Sequence, residues 1–171
     1  MTVILIEMEE YFMKIQIKEI DHTTRSQVVR FIKDNWGSGI MVVKGRVHNM
    51  EELPGFIAIE NNHILGIITY NIENNQCEIV SLDSSKENNG IGSMLIERVI
   101  KNAQGEKCNR VWLITTNDNT KAMRFYQKRG FTMKDIYVNA VKESRKIKPE
   151  IPMFGNDGVP ILHEIEFEKE L

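Results

Sequence analysis

Three strand-like runs in close succession, followed by alternating helical and strand-like segments, constrain the fold of this chain more than any other feature. The runs lie at residues 56–60, 64–72 and 77–82. Only short turns, Asn61-Asn62-His63 and Glu73-Asn74-Asn75, separate them, which is typical of hairpins. The later segments 90–103, 111–115 and 119–129 have the periodicity of helix, strand and helix. We therefore expect a mixed α/β fold, with a mostly antiparallel sheet flanked by helices and with 77–82 and 111–115 as parallel neighbours.

The remaining segments extend this sheet and its helices. Residues 14–20 alternate apolar and polar side chains, as a half-buried strand does. Thr23 or Thr24 can cap a helix that runs to Trp36 and ends at Gly37. We interpret residues 163–168 as a last strand, 40–54 as aperiodic, 149–160 as a loop and the basic run 142–148 as a solvated helix face. Residues 1–12 are interpreted as an N-terminal extension of a single domain at residues 13–171.

The composition argues against several classes of function. The chain has 171 residues and a formal net charge of −2, which gives no basic footprint for nucleic acid. No segment approaches the length needed to span a membrane. Two cysteines cannot build a disulfide framework, so we expect Cys77 and Cys108 to be reduced thiols in a cytoplasmic protein. The four histidines lack ligand spacing, so no metal site is predicted.

The first motif with chemical meaning is Asn88-Asn89-Gly90-Ile91-Gly92, between a strand and an amphipathic helix. Glycines let the backbone turn sharply and approach a ligand closely. The free amides and the dipole at a helix N-terminus attract anions, which predicts a phosphate or pyrophosphate over residues 88–93. By itself such a motif is often only a turn. It lacks the Gly-Lys-Ser/Thr of a P-loop and the three spaced glycines of a dinucleotide fingerprint.

The second motif is the helix that begins near Asn119. Asn119, Ala122 and Tyr126 stand at i, i+3 and i+7, so that they share one helix face. The small Ala122 between two polar side chains leaves room for a ligand along that face. The alternative is that Ala122, Phe125 and Tyr126 simply pack into the core.

Together, the two motifs resemble the cofactor-binding core of the GNAT N-acetyltransferases. That family has Gln/Arg-x-x-Gly-x-Gly/Ala, followed later by Asn-x-x-Ala-x-x-Phe/Tyr-Tyr and Gly-Phe. The second half matches at every defining position, including Gly130-Phe131. The first half departs at Glu87, where the family usually has Gln or Arg. The resemblance implies the GNAT fold, with a splayed parallel strand pair at the site of the co-substrate acetyl-CoA.

The resemblance also implies roles for individual residues. The backbone of residues 82–84 should pair with the pantetheine arm like an added strand. The amides of residues 91–93 should hold the pyrophosphate, Asn119 should bond to the pantetheine, and Tyr126 should lie near the thioester sulfur. The implied cofactor-binding residues are Leu82, Asp83, Ser84, Glu87, Asn88, Asn89, Gly90, Ile91, Gly92, Ser93, Asn119, Ala122, Phe125 and Tyr126.

The mechanism needs two proton transfers, for which Tyr126 and Glu78 are the candidate catalytic residues. Tyr126 suits the general acid, because a phenol can protonate a thiolate of comparable basicity. Glu78 lies on the strand before the Gly turn, where some family members carry a catalytic glutamate in a similar Glu-Ile-Val context. Two alternatives stay open: Glu78 is solvated or salt-bridged near a strand end, and the base is a chain of waters, as in many relatives.

These inferences indicate transfer of acetyl from acetyl-CoA to a primary amine by direct attack. The alternative is a non-catalytic acyl-CoA-binding sensor or assembly module with the same fold. The acceptor is either a small-molecule amine or a protein N-terminal or lysine amine, with no nucleic acid or membrane as partner. Arg46 and His48 lie in the aperiodic stretch that often borders the acceptor pocket in this family, although a solvated loop is the simpler interpretation. Dimers are frequent in the family, so a homodimer is one alternative for the oligomeric state.

Overall fold

A computed structural model of the chain describes residues 14–85, 89–155 and 157–171. The predicted extension at residues 1–12 lies outside the described residues, as do Glu87 and Asn88. The described strands are β1 (Gln16–Glu19), β2 (Ile40–Val43), β3 (Arg46–Asn49), β4 (Gly55–Glu60), β5 (His63–Glu73), β6 (Gln76–Ser84), β7 (Arg110–Thr116), β8 (Thr132–Tyr137) and β9 (Glu164–Glu170). The described helices are α1 (Arg25–Trp36), α2 (Ile91–Gly105), α3 (Thr120–Gln127) and α4 (Ala140–Ile147).

Seven of these strands form one sheet in the order β1-β4-β5-β6-β7-β9-β8. All of its neighbours are antiparallel except β6 and β7, which pair in parallel. Helix α2 connects β6 to β7, since parallel neighbours need a crossover. The predicted mixed fold and the predicted parallel pair are both confirmed.

Hydrophobic residues cover both faces of the sheet. On one face, Leu95 and Val99 of α2 pack in a cluster that also contains Tyr126 and Phe131. On the other face, Val28 and Ile32 of α1 are fully buried against β4 and β5. The apolar face of each helix, which its helical spacing predicts, is therefore the face that packs on the sheet. None of the described helices is long and apolar enough to cross a membrane.

The two Asn-rich turns form as the sequence predicts. Asn61-Asn62 and Asn74-Asn75 all have positive φ, between 48° and 65°. Two consecutive residues with positive φ match the twist of the flanking strands, and asparagine tolerates that conformation. The turns therefore join β4 to β5 and β5 to β6 as tight hairpins.

The interpretation of residues 40–54 as aperiodic is wrong, because β2 and β3 form a separate two-stranded hairpin there. Its turn is Lys44-Gly45, with φ of 50° and 70°. Lysine is not a usual residue at the first position of such a turn, so the local signal was weak.

The predicted threonine cap of α1 is also corrected. Thr24 occupies the N-cap position but has helical backbone angles, and its side chain makes no cap hydrogen bond. Instead, Asp21 Oδ1 accepts hydrogen bonds from the backbone N–H groups of Thr23 and Thr24, at 2.8 and 3.0 Å. At the other end, Gly37 has φ of 70° and donates to the carbonyl of Lys33.

The second half contains two further differences. Strand β8 was not predicted, and it is an edge strand with largely exposed side chains, so burial imposes no alternation on it. Helix α3 ends at Gln127 with Lys128 as the C-cap, before the predicted end at residue 129, and Gly130 follows with φ of 81°.

Candidate active site

The parallel strands β6 and β7 separate halfway along their length. Their register pairs run from Gln76 and Arg110 to Ile79 and Leu113, and end there. At this point Val80 is an extra residue in the pairing of β6 with β5, because Ile79 faces Tyr70 while Ser81 faces Thr69. A bulge of this kind bends its strand and increases its twist, which directs the end of β6 away from β7.

The separation has a direct consequence for the backbone of β6. Residues 82–84 still pair with β5 on one edge. On their other edge no described strand pairs with them, since the register with β7 has ended. An extended ligand can therefore add to this edge, as was predicted for the pantetheine arm.

A cavity of about 390 Å³, here called the splay cavity, opens between the diverging strands. Ile79–Leu82 of β6 and Leu113–Thr116 of β7 form two of its walls. Asn119, Ala122 and Tyr126 of α3 form a third, so the predicted common face of these residues is confirmed. The hairpin β2–β3, helix α4 and the segment after it close the remaining sides, through Met41, Val42, Val43, Val141, Ser144, Lys148, Glu150, Ile151, Pro152 and Ile161.

A second cavity of about 500 Å³, here called the α2 cavity, lies at the N-terminus of α2. Most of the residues predicted to bind the cofactor line it: Leu82, Asp83, Ser84, Asn89, Gly90, Ile91, Gly92, Ala122, Phe125 and Tyr126. Leu82, Ala122 and Tyr126 line the splay cavity as well. The two cavities are therefore adjacent, and Tyr126 stands at their shared wall.

The N-terminus of α2 is suited to hold an anion. Gly90 is its N-cap with φ of 74°, and the first turn carries no acidic residue. A Cβ placed on Gly92 would lie 2.9 Å from Cζ of Phe125, so this glycine also allows α2 and α3 to pack closely. Close approach to a ligand, as predicted from the sequence, is therefore not the only role of Gly92.

Four basic residues line the α2 cavity, and the sequence analysis had not singled them out: Lys121, Arg124, Lys128 and Arg129. Arg129 donates to Ser93 Oγ from Nε at 3.1 Å and from Nη2 at 2.5 Å, and its guanidinium lies 3.4 Å from the Phe125 ring centre. Among the described residues that line this cavity, Asp83 is the one that is acidic. The lining is thus strongly positive, although the whole chain is slightly negative. Lys121, Arg124 and Lys128 stand at i, i+3 and i+7, and this spacing in the sequence predicts that they share one face of the helix.

Tyr126 is 7% exposed and packs edge-to-face against Phe131, with ring centres 5.6 Å apart. Burial raises the pKa of its phenol well above the usual value, because the phenolate loses its hydration. Tyr126 therefore stays protonated at neutral pH. Asn119, by contrast, uses its side-chain oxygen to accept from the backbone N–H of Ala122 at 3.1 Å, and so caps α3.

Sequence comparison now decides the family. The model of the acetyltransferase (GNAT) family matches residues 12–131, well over half of the chain. The chain belongs to the GNAT acetyltransferase family. It is accordingly an acyltransferase, of a family whose acetyl donor is acetyl-CoA.

Comparison with individual proteins gives similar matches in sequence and in fold. The chain is 43% identical over 145 residues to the uncharacterised protein YxbD of Bacillus subtilis strain 168, covering 84% of this chain and 91% of YxbD. It is 30% identical over 105 residues to the acetyltransferase PseH of Campylobacter jejuni, covering 58% of this chain and 66% of PseH. The fold is similar to that of a GNAT acetyltransferase from Elizabethkingia anophelis with acetyl-CoA bound, at a TM-score of 0.66 and 21% identity, covering 92% of this chain and 99% of the other.

Glu78 lies apart from the two cavities of this GNAT domain. Its side chain is 3% exposed, and Oε2 accepts a 2.5 Å hydrogen bond from Nη2 of Arg46. His48 Nε2 is 3.5 Å from the same oxygen. Arg46 and His48 thus belong to strand β3 rather than to a solvated loop, and Glu78 lines neither cavity. This geometry matches the salt-bridged alternative, and the catalytic role of Glu78 stays a prediction.

The remaining candidates in this GNAT chain are also placed. Cys77 is fully buried, and burial raises the pKa of its thiol to about 12, so it does not form a thiolate at neutral pH.

The interpretation of residues 142–148 as a solvated face is incomplete, because Arg145 donates to the carbonyls of Ile151, Pro152 and Ile161. It thereby holds the segment that walls the splay cavity. Glu164, a buried wall residue, was missed because only the tertiary fold brings it there.

Proposed function

We propose that this chain is an N-acetyltransferase that binds acetyl-CoA along the α2 cavity and transfers the acetyl group to a primary amine in the splay cavity. One observation carries the proposal: the two cavities adjoin at Leu82, Ala122 and Tyr126. A donor that follows the open edge of β6 from the N-terminus of α2 would bring its reactive end to that shared wall. The acceptor would then approach from the splay cavity.

The residues around the α2 cavity fit the donor chemically. A diphosphate needs several hydrogen-bond donors and positive charge. The amides of residues 91–93 at the start of α2 and the four basic side chains would supply both. The open edge of β6 at residues 82–84 would supply the backbone donors and acceptors that a pantetheine arm pairs with.

Acetyl-CoA, when bound, supplies an activated acetyl thioester. In the proposed transfer the nitrogen lone pair of the amine forms the new N–C bond, while the C–S bond breaks. Tyr126 gives its phenolic proton to the leaving thiolate, and its place at the wall that both cavities share supports this role. The proton lost by the amine leaves through water in the splay cavity or through Glu78. The Arg46 ion pair and the burial of Glu78 favour water.

The test is an assay of CoA release, combined with an equilibrium titration of acetyl-CoA. Small aliphatic amines, amino acids and peptides with a free N-terminus or lysine serve as acceptors, because the acceptor class within these is open. We expect acetyl-CoA to bind without competition from ATP or NAD, and at least one amine to release CoA in step with its own acetylation. Absence of acetyl-CoA binding would contradict the proposal. Binding without turnover of any amine would support the non-catalytic module instead.

A further inference from the structure

Glu164 is a buried carboxylate in the wall of the splay cavity. It is 2% exposed, and both of its oxygens accept a hydrogen bond. Oε2 accepts from the backbone N–H of Lys44 at 2.8 Å, and Oε1 accepts from Ser144 Oγ at 3.0 Å. These contacts fix the carboxylate on β9 and leave its remaining lone pairs for another donor.

Glu164 has no ion-pair partner among the residues that the structure describes. Within residues 14–85, 89–155 and 157–171, no lysine, arginine or histidine nitrogen lies within 4.0 Å of this carboxylate. Its neighbours on the same face of β9 differ in this respect. Glu166 pairs with Lys44 and Arg110, and Glu168 pairs with Arg110 and Lys134. A buried carboxylate without a cation is costly, so its presence in a cavity wall points to a cationic ligand.

The rest of the splay cavity is compatible with such a ligand. Its walls are largely apolar, formed by residues such as Met41, Val141 and Ile161. Lys148 is the one basic side chain in the lining, and its Nζ donates to the carbonyl of Ile40 at 2.8 Å rather than to Glu164. Glu150 adds a second carboxylate. The cavity therefore favours a hydrocarbon body with a positive charge.

Glu164 lies on a strand beyond the gap at which the transfer is proposed. Strand β9 lies beyond β7, on the side away from β6. Neighbouring strands are about 4.8 Å apart, so Glu164 is at least one strand spacing from the gap between β6 and β7 where the transfer is proposed. A diamine can therefore place one nitrogen at Glu164 while its other nitrogen reaches the gap.

We propose that Glu164 binds a second, non-reacting cationic nitrogen of the acceptor, so that the preferred acceptors are aliphatic diamines rather than monoamines. This inference rests on the proposed function. One amine of the acceptor loses its proton and is acetylated at the gap. The other keeps its proton and donates to the Glu164 carboxylate. Because a hydrogen bond between charged partners is stronger than a neutral one, the selectivity should be roughly 10- to 100-fold.

The experiment compares linear diamines of three to six carbons with the monoamine and the amino alcohol of the same length. kcat and KM are measured for the full chain and for Glu164→Gln. We expect the unaltered protein to prefer at least one diamine over both analogues by roughly 10- to 100-fold in kcat/KM, mostly through a lower KM. In Glu164→Gln this ratio should approach one. Glu143→Gln is the matched control, because Glu143 lies exposed on α4, paired with Lys146, and should leave the ratio unchanged.

Two results would overturn the inference while leaving the proposed function intact. One is turnover of monoamines at the same kcat/KM as every diamine, a readout that needs no variant and so does not depend on how Glu164→Gln folds. The other is a diamine preference that survives in Glu164→Gln. Absence of CoA release with every amine would overturn the proposed function and this inference together. The first two results differ from it because CoA is still released in both.

Discussion

Tyr126 is the residue to which the proposed chemistry assigns the proton transfer. Of the three residues that line both cavities, it is the one with a side-chain proton donor. Its neighbours on the shared wall, Leu82 and Ala122, have no ionisable group. Burial keeps the phenol protonated, and packing against Phe131 fixes the orientation of its ring. A buried, fixed phenol is suited to donate a proton where negative charge develops.

Replacing Tyr126 by phenylalanine removes the proton donor and preserves the ring packing. We expect kcat to fall by about 10²- to 10⁴-fold, the usual contribution of a general acid. The dissociation constant of acetyl-CoA should change little, because the proposed contacts with the diphosphate are at the N-terminus of α2 and do not involve the phenol. Steady-state kinetics and a binding titration measure the two effects separately. A Tyr126→Phe variant with full kcat would show that the thiolate takes its proton elsewhere.

The sequence could predict those site residues whose spacing is set by a single helix or turn. Asn119, Ala122 and Tyr126 share a face because helical geometry fixes it, and the turn at Gly90 is local in the same way. Glu164 could not be found by this reasoning. It reaches the cavity only because β9 inserts between β7 and β8, an arrangement that depends on the whole sheet.

At the scale of elements, the proposed anion site depends on the turn into α2. Gly90 is the N-cap of α2 and has a left-handed backbone conformation, with φ of 74°. A side chain in that conformation is strained by a clash of its Cβ with the backbone. The amides that follow keep their direction only if this turn is preserved.

We therefore expect Gly90→Ala to lower the free energy of unfolding by about 1 to 2 kcal/mol and to weaken acetyl-CoA binding. Gly105→Ala is the matched control within α2. Its Cβ would meet no atom within 4 Å, so stability should be unchanged or raised by at most about 1 kcal/mol. Denaturant unfolding and a binding titration of the two variants measure these effects. Equal stability of both variants would refute the strain at Gly90.

The start of α1 gives a prediction about pH. Hydrogen bonds from the Thr23 hydroxyl and from the Thr24 backbone N–H stabilise the Asp21 carboxylate and lower its pKa from 3.8 to about 2. Because the folded pKa is the lower one, Asp21 contributes stability above pH 3.8, and the contribution is lost as the pH falls towards 2. The stability difference between the unaltered chain and Asp21→Asn should shrink over that window. Urea unfolding between pH 2 and 5 measures it, and a difference independent of pH would contradict the assignment.

Elements were predictable where burial imposes a period on the side chains. Strands β4, β5 and β6 are buried on both faces over much of their length and have near-continuous apolar runs, whereas helix α2 buries one face and has apolar residues at helical spacing. Strand β8 is an exposed edge, and β2–β3 is a short hairpin with Lys44 in its turn. Neither has a period or a turn residue that single-sequence reasoning recognises.

At the scale of the whole molecule, the site exists because a mostly antiparallel sheet contains one parallel pair. Antiparallel neighbours stay paired along their length here, whereas β6 and β7 part after Ile79 and Leu113. The crossover that makes them parallel also places the N-terminus of α2 next to the end of β6. The open strand edge, the two cavities and the position of the proposed anion site are therefore consequences of a single topological feature.

The central claim is that the donor runs from the N-terminus of α2 along β6 to Tyr126, and a crystal structure of the complex with acetyl-CoA tests it most directly. We expect diphosphate oxygens within about 3 Å of backbone nitrogens among residues 91–93. We also expect the pantetheine arm paired with residues 82–84 and the sulfur within hydrogen-bonding distance of Tyr126 Oη. A donor whose diphosphate lies away from α2, or whose sulfur lies on a surface remote from Tyr126, would contradict the account.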